Sequence, residues 1–165
     1  MNIGVPRERR VDEHRVGLTP AAVERLVAAG HPCSVERNAG RGAGYADLEY
    51  EKAGGRIVYS GEEAYGRADL VLKVSKPTEE EVQWLNDGSI LMGFLHLAAG
   101  RRDRIDGLLA KRVTAIAYET IQSDDGSLPV LAGDTPALRE VLGDGALFRD
   151  PRSIEALADG IDRVL

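Results

Sequence analysis

The chain has 165 residues, of which 43% are hydrophobic and 29% are charged, and its formal net charge is −6. This composition suits one ordinary globular domain and excludes a disordered chain. The negative charge argues against nucleic acid as a partner, and no stretch approaches the roughly 20 apolar residues of a membrane-spanning helix.

The first half of the chain alternates short apolar segments with amphipathic ones, a pattern typical of a parallel sheet covered by helices. Strands are predicted at 2–5, at "CSVER", at "RIVYS" and at 69–75. The first predicted helix is "LTPAAVERLVAAG", in which Thr19 suits the N-cap, Pro20 the first turn and Gly30 the C-terminal stop. Shorter helices are predicted at "LEYEKAG" and "GEEAYG".

The second half continues this alternation. A helix at "TEEEVQWL" opens on a capping box of Thr78 and Glu81, and a strand at "SILMGFLH" ends on His96. A helix at "RDRIDGLLAKR" and a strand at "TAIAYET" follow, and the tail adds a helix at "PALREVL", a strand at "ALFRD" and a last helix from Asp150. The pattern predicts a single α/β domain over residues 1–165, doubly wound and flavodoxin-like or Rossmann-like, with a mostly parallel sheet and helices on both faces.

Three features have plain structural interpretations. The single cysteine, Cys33, cannot form an internal disulfide, so we expect a buried thiol and a reducing, cytoplasmic compartment. The basic stretch "PRERR" (6–10) is interpreted as a solvated loop rather than as a nucleic-acid patch. His14 and His31 are interpreted as surface residues.

A glycine-rich segment, "GRGAGY" (40–45), carries only the first two glycines of the dinucleotide fingerprint G-x-G-x-x-G, because Tyr45 stands where the third belongs. A convincing acidic partner for a ribose about 20 residues further on is also missing. We therefore interpret the segment as a structural turn. No other stretch fits the fingerprint, so no bound cofactor is predicted for this chain, and no metal site is predicted either.

Arg15 lies between the first predicted strand and the first predicted helix, on the sheet rim where α/β proteins bind ligands. Two interpretations of its guanidinium stay open. It could hold a ligand carboxylate through two parallel hydrogen bonds, or it could form a surface ion pair with Asp12 or Glu13.

Two further polar positions belong to later strands. Lys73, on the same predicted strand face as Ser75, could neutralise an anionic substrate or could reach water from the strand end. His96 is placed for proton transfer, although taken alone it fits a structural histidine better. Together, Arg15, Lys73 and His96 suit a small 2-oxo acid, with two cations on its carboxylate and an imidazole beside its carbonyl oxygen.

Several of these segments carry a family resemblance. The stretches "MNIGVPRERRVDEHRVGLTPAAVERLVAAGH", "NAGRGAGYADLEYEKAGG", "ADLVLKVSKP", "ILMGFLHLAA" and "VTAIAYETIQSDDGSLPVL" resemble alanine dehydrogenases and the N-terminal region of proton-translocating transhydrogenases. The resemblance covers residues 1–131, and "FLHLAA" favours alanine dehydrogenase.

The resemblance implies a chemistry and roles for particular residues. The family interconverts L-alanine and pyruvate plus ammonia with NAD and commonly forms hexamers, which implies a possible homo-oligomer. Arg15 would bind the substrate carboxylate and His96 would be the acid/base. The family motif commonly reads KVKEP, and this chain reads "KVSKP". Lys73 therefore matches the first lysine and Ser75 replaces the second, with Lys76 expected on the opposite strand face unless the strand has ended.

The tail resembles a different family. Residues 129–165, beginning "PVLAGDTPALREV", are similar to the end of the nucleotide-sugar domain of family-4 GT-B glycosyltransferases. This second resemblance implies a seam at 129–131, with a borrowed tail (132–165) that completes the sheet of an alanine dehydrogenase-like substrate domain. Such a chain would lack the NAD domain and would not turn over alone.

Three alternative functions also fit the sequence. The chain could be a binding module for a 2-oxo acid or amino acid, or a subunit of a split oxidoreductase whose NAD domain comes from a partner chain. It could be a chimeric scaffold without a ligand. It could be a glycosyltransferase fragment, although the catalytic glutamate pair of those enzymes lies upstream of the similar segment and is absent here.

Overall fold

The structure is a computed structural model, which describes residues 1–97 and 102–121 and the two strands at 130–133 and 146–149. The chain forms two compact units, Met1–Ala117 and Tyr118–Leu165. The expectation of one domain over 1–165 stays a prediction. All of the candidate site residues lie in the first unit.

The first unit is built on a six-stranded parallel sheet. Its strands, in the order β3-β2-β1-β4-β5-β6, confirm the predicted doubly wound fold. The strands are β1 Ile3–Val5, β2 Cys33–Glu36, β3 Arg56–Val58, β4 Leu70–Ser75, β5 Ile90–Phe94 and β6 Thr114–Ala117. The helices are α1 Pro20–Ala28, α2 Asp47–Lys52, α3 Gly61–Gly66, α4 Glu79–Trp84 and α5 Arg102–Ala110.

Helix boundaries follow local sequence signals. The Thr19 side chain accepts a hydrogen bond from the Ala22 backbone N–H (3.3 Å) at the start of α1, as predicted. Gly30 follows the helix with φ of 87°, a left-handed conformation that glycine adopts without steric cost. Thr78 and Glu81 form the predicted capping box of α4.

Two hydrophobic cores lie on opposite faces of the sheet. One contains Val23 of α1 and Tyr50 of α2, and the other contains Tyr65 of α3, Val82 of α4 and Leu108 of α5. Neighbouring residues of β4 alternate between them, since Val71 belongs to the second core and Leu72 to the first. The helices therefore cover both faces, as predicted.

This strand order creates a topological switch point between β1 and β4. From β1 the chain winds outward through β2 and β3, and it then crosses over to β4 and winds the other way. Open α/β sheets bind ligands in the crevice at the carboxyl ends of the strands at this point. The crevice is where the β1–α1 loop and the ends of β4 and β5 meet.

Further sequence predictions concern the rest of the molecule. Cys33 is buried as predicted, and its burial raises the thiol pKa to about 11. Among the described residues, no helix is long and apolar enough to cross a membrane. In the second unit, β7 (Val130–Gly133) pairs in parallel with β8 (Ala146–Arg149), which is the predicted strand at "ALFRD". The two predicted tail helices lie outside the described residues.

Gly17 provides a test of how the β1–α1 loop is held. A Cβ atom at Gly17 would clash with the carbonyl oxygen of Leu72 in β4. We therefore expect Gly17→Ala to lower the free energy of unfolding by about 1–3 kcal/mol in urea denaturation. Gly66→Ala is the matched control, because a Cβ there meets nothing within 4 Å and alanine favours the helix. Equal stabilities for the two variants would contradict the close packing of this loop on β4.

Candidate functional site

A cleft of about 340 Å³ opens at the carboxyl edge of the sheet. It brings together three of the predicted site residues, Arg15 from the β1–α1 loop, Ser75 from the end of β4 and His96 from beyond β5. Its lining consists of Arg10, Arg15, Val74, Ser75, Lys76, Phe94 and His96. We call this space the rim cleft.

Arg15 is held by Glu13 through both carboxylate oxygens. Its Nε donates to Glu13 Oε1 (2.8 Å) and its Nη2 donates to Glu13 Oε2 (2.7 Å). The Arg15 backbone N–H also donates to Oε1 (3.1 Å), and the Ser75 hydroxyl donates to Oε2 (3.1 Å). The ion pair with Glu13 that the sequence suggests is thus present, and Glu13 contacts two residues of the cleft lining, Arg15 and Ser75.

The electrostatic result is a strongly acidic Glu13. The hydrogen bond from Arg15 lowers the pKa of Glu13 to about 2, against a smaller opposing effect of burial. Glu13 is therefore ionised at neutral pH. The Arg15 side chain remains 68% exposed, so its other N–H groups stay accessible from solvent.

The structure places Lys73 away from the cleft lining. Its Nζ lies 2.8 Å from Glu81 Oε1 and 3.1 Å from Glu8 Oε2, and its side chain is 1% exposed. The alternative that Lys73 reaches water is therefore wrong. Its assignment as a substrate ligand stays a prediction, and its immediate partners are two buried carboxylates.

Lys73 belongs to a larger group that we call the buried charge cluster. Arg9 pairs with Glu36 through two hydrogen bonds (2.9 and 3.1 Å) and lies 3.9 Å from Glu81. The Arg9 guanidinium also lies over the Trp84 ring at 5.0 Å, within cation–π range. The cluster consists of Glu8, Arg9, Glu36, Lys73 and Glu81.

This cluster corrects the interpretation of "PRERR" as a solvated loop. The side chain of Glu8 is 2% exposed and that of Arg9 is 20% exposed. The loop is buried at Glu8 and partly buried at Arg9, because its charges meet opposite charges from β2, β4 and α4, which offset the cost of leaving water. Burial would raise the pKa of Glu81, but the charge and hydrogen bond of Lys73 outweigh it, and the pKa lies below its usual value.

A β-bulge at the end of β4 directs Ser75 to the cleft. Leu72 pairs with Met92 and Ser75 pairs with Phe94, so Lys73 and Val74 lie opposite the single residue Gly93. The Val74 N–H donates to Glu8 Oε1 (2.7 Å), which holds the bulge from the buried side. From the sequence, Lys76 is expected on the opposite strand face unless the strand ends before it. The strand does end at Ser75, and Lys76 also lines the cleft.

His96 reaches the cleft through an unusual backbone conformation. The strand β5 ends at Phe94, earlier than the predicted end at His96. His96 then adopts φ of 46°, in the left-handed region that few non-glycine residues occupy. Its ring stacks on that of Phe94, with centroids 6.4 Å apart and planes 24° apart. The exposed imidazole thereby becomes part of the cleft wall.

The glycine-rich loop uses its glycines for internal packing. It contains a 3-10 turn at Arg41–Ala43. A Cβ at Gly42 would lie 2.8 Å from the His14 carbonyl oxygen, and a Cβ at Gly40 would lie 2.6 Å from the Tyr50 hydroxyl. This geometry agrees with the interpretation as a structural turn. Within the described ranges, no group of three or more His, Cys, Asp or Glu residues could hold a metal ion.

Sequence reasoning missed part of the site. The sequence suggests Glu13 only as a surface partner of Arg15, and it does not place Arg10 or Lys76 in a cleft. In the part of the chain that the structure describes, neither Arg10 nor Lys76 makes an ion pair. The spacing of Glu13 and Arg15 in "DEHR" was the one available signal, because residues two apart on an extended loop share a side.

These features define a class of protein. The fold is a doubly wound α/β domain with the strand order of dinucleotide-binding proteins, and its switch point presents arginine, serine and histidine side chains to a small cleft. Comparison with known proteins makes the assignment specific. Residues 4–134 match the family described as "Alanine dehydrogenase/PNT, N-terminal domain", and the chain belongs to that family.

Known relatives are alanine dehydrogenases. The chain is 42% identical over 132 residues to the alanine dehydrogenase of Mycobacterium tuberculosis, and 43% identical over 131 residues to that of Methanococcus maripaludis. The match covers 80% and 79% of this chain, respectively, and 35% of each relative. The chain thus spans about a third of the length of the relatives it matches.

Solved structures agree on the fold. An L-alanine dehydrogenase structure superposes with a TM-score of 0.75 at 43% identity, over 78% of this chain and 35% of that one. A transhydrogenase from Sinorhizobium meliloti superposes with a TM-score of 0.70 over 97% of this chain and 62% of that one, and its 20% identity makes it evidence of fold alone. The family match runs to residue 134, beyond the predicted seam at 129–131.

Lys73 tests the energetic role of the buried charge cluster. Replacing it with alanine removes the cation of the buried Glu8 carboxylate and leaves Glu81 with only Arg9, 3.9 Å away, among the described cations. We expect Lys73→Ala to cost about 3–5 kcal/mol in the free energy of unfolding, measured by urea denaturation. The control is Lys52→Ala on the exposed face of α2, with an expected change within about 0.5 kcal/mol. A cost below about 1 kcal/mol for Lys73→Ala would contradict a stabilising pair.

Glu81 predicts how stability depends on pH. Its folded pKa lies below the ordinary value of 4.5, so its contribution is full above that value and is lost as the pH falls through the folded pKa. We expect the free energy of unfolding of the wild type to drop as the pH falls below about 4.5. Glu81→Gln retains the capping geometry of α4 and should show lower stability at pH 7 with a flatter acid dependence. Parallel pH profiles for the two proteins would refute this role.

Proposed function

We propose that the rim cleft binds a small 2-oxo acid or amino acid, pyruvate or L-alanine, and that the chain supplies the substrate domain of an alanine dehydrogenase-like oxidoreductase. The observation that carries this proposal is the meeting of Arg15, Ser75 and His96 at one cleft at the switch point. Membership of the family supports it independently. The cleft volume lies near the low end for ligand sites, which suits a ligand of this size.

Each residue has a role in the proposed binding mode. The guanidinium of Arg15 holds the substrate carboxylate, and the Ser75 hydroxyl or the Lys76 ammonium replaces the family's second lysine. His96 lies beside the keto or amino carbon, where its imidazole exchanges a proton near neutral pH. Lys73 has a positioning role. It pairs with Glu8, and Glu8 accepts the Val74 N–H in the bulge that precedes Ser75 and Lys76.

The described residues do not fit a bound dinucleotide. The N-terminus of α1 is the place where such folds bind a pyrophosphate, and here Thr19 caps the Ala22 N–H and Pro20 has no N–H to offer. The glycine-rich loop at 40–45 packs against its own chain, because a Cβ atom at Gly40 or Gly42 would clash with Tyr50 or His14. We propose that NAD, the hydride acceptor of the family, is held outside these residues, by other chain segments or by a partner chain.

Three further elements belong to the proposal. A homo-oligomer and a reducing, cytoplasmic compartment are expected, the latter supported by the single buried Cys33. The glycosyltransferase-like origin of residues 132–165 remains a prediction, since most of that tail lies outside the described residues. A binding module without turnover is the second candidate function, because the described residues bring carboxylate-binding groups to one cleft but do not fit a bound dinucleotide.

Titration with pyruvate tests the proposed site. We expect amide signals of the β1–α1 loop, Ser75 and His96 to shift in the NMR spectrum of isotope-labelled full-length protein, with saturation. Arg15→Ala should remove most of the affinity, because a charge-assisted bidentate contact is lost. The matched control is Arg67→Ala, which removes an equal charge from an i,i+4 pair with Glu63 outside the cleft. A folded protein whose signals do not shift, or equal binding by Arg15→Ala, would overturn the proposal.

A further inference from the structure

The guanidinium of Arg15 already binds a carboxylate of this chain. Glu13 uses both oxygens on the Nε–Nη2 edge at 2.8 and 2.7 Å, which is the geometry that a substrate carboxylate adopts on an arginine. The same carboxylate accepts the Ser75 hydroxyl at 3.1 Å. Two of the residues proposed to bind substrate therefore share one internal partner.

We infer that Glu13 is an internal competitor of the substrate carboxylate and sets the affinity and anion selectivity of the rim cleft. A bound 2-oxo acid replaces Glu13 on the Nε–Nη2 edge of Arg15 and accepts the Ser75 hydroxyl in its place. The inference rests on the proposed function for the identity of the ligand. The competition itself requires only a ligand that carries a carboxylate.

The charges around the cleft make this competition effective. Arg10 and Lys76 line the cleft as cations and make no ion pair in the part of the chain that the structure describes. Glu13 supplies the opposing negative charge at the Arg15 end, with its side chain 12% exposed. A ligand carboxylate that approaches Arg15 meets repulsion from Glu13 as well as competition for the same donors.

Displacement is within reach of a small ligand. The Arg15 side chain is 68% exposed, so a ligand reaches its guanidinium from solvent, whereas the Glu13 side chain is 12% exposed and must give up its hydrogen bonds to Arg15 and Ser75. Glu13 can turn toward solvent and Ser75 can donate to a new acceptor, with no change in the buried charge cluster. The loop backbone remains held by Gly17 on β4.

Replacing Glu13 with glutamine keeps the size of the side chain and removes its charge. We expect Glu13→Gln to bind pyruvate about three- to tenfold more tightly than the wild type in the same NMR titration. The control is Asp12→Asn, which changes the net charge equally in the same loop without a contact to Arg15, and which keeps a residue suited to the φ of 64°. Asp12→Asn should bind as the wild type does.

Opposite results have definite meanings. Equal or weaker binding by Glu13→Gln, with a dispersed spectrum, overturns the inference, because the ligand then uses the other guanidinium edge or needs Glu13 to orient Arg15. An equal gain in Asp12→Asn also overturns it, since net charge alone then explains the change. Glu13→Ala repeats the comparison without a side-chain amide that could still bond to Arg15.

A second probe separates this inference from the proposed function. Formate offers a carboxylate without a keto group, and the Arg15 Nε–H signal reports its binding directly. If pyruvate binds to no variant while formate shifts that signal at lower concentration in Glu13→Gln than in the wild type, the proposed function fails and the competition stands. If formate shifts the signal equally in both proteins, the competition is refuted as well.

Discussion

The ammonium of Lys73 is buried between the carboxylates of Glu8 and Glu81, and much of the site geometry depends on this pair of contacts. A lysine in the interior of a central strand is costly to desolvate unless its charge is matched at close range. Matching it requires the β1–α1 loop to supply Glu8 and the first turn of α4 to supply Glu81. Arg9 of the same loop also pairs with Glu36 of β2. The cluster therefore connects the β1–α1 loop, β2 and α4 to the carboxyl end of β4.

The buried charge cluster also fixes the backbone segments that carry the cleft residues. Glu8, held by Lys73, also accepts the Val74 N–H, so the bulge of β4 and the β1–α1 loop are fixed by the same side chain. The bulge turns Ser75 toward Glu13, and the close approach of Gly17 to Leu72 holds the other end of the loop. Arg15 is thus carried by a loop anchored on both sides of it, although its own side chain is exposed.

Much of the fold could be predicted from the sequence because its signals are local. The Thr19 cap, the Thr78–Glu81 capping box and the alternation of apolar segments each depend on residues a few positions apart. The surroundings of Lys73 could not be predicted in this way, since Glu8 is distant in sequence and lies in a stretch of charges that resembles a solvated loop. The left-handed backbone conformation of His96 could not be predicted either, because nothing in "GFLHLAA" requires it.

The proposed function assigns a substrate, and not a cofactor, to a sheet with the strand order of dinucleotide-binding proteins. Dinucleotide-binding folds place a short glycine-rich turn after β1 and leave the first N–H groups of the next helix free for a pyrophosphate. Here a long charged loop follows β1, its Gly17 is used for packing on β4, and the start of α1 is closed by Thr19 and Pro20. The same switch point thereby offers guanidinium and imidazole groups instead of backbone donors. In the proposed function these side chains bind a small carboxylate, and the nicotinamide of NAD is held outside the described residues.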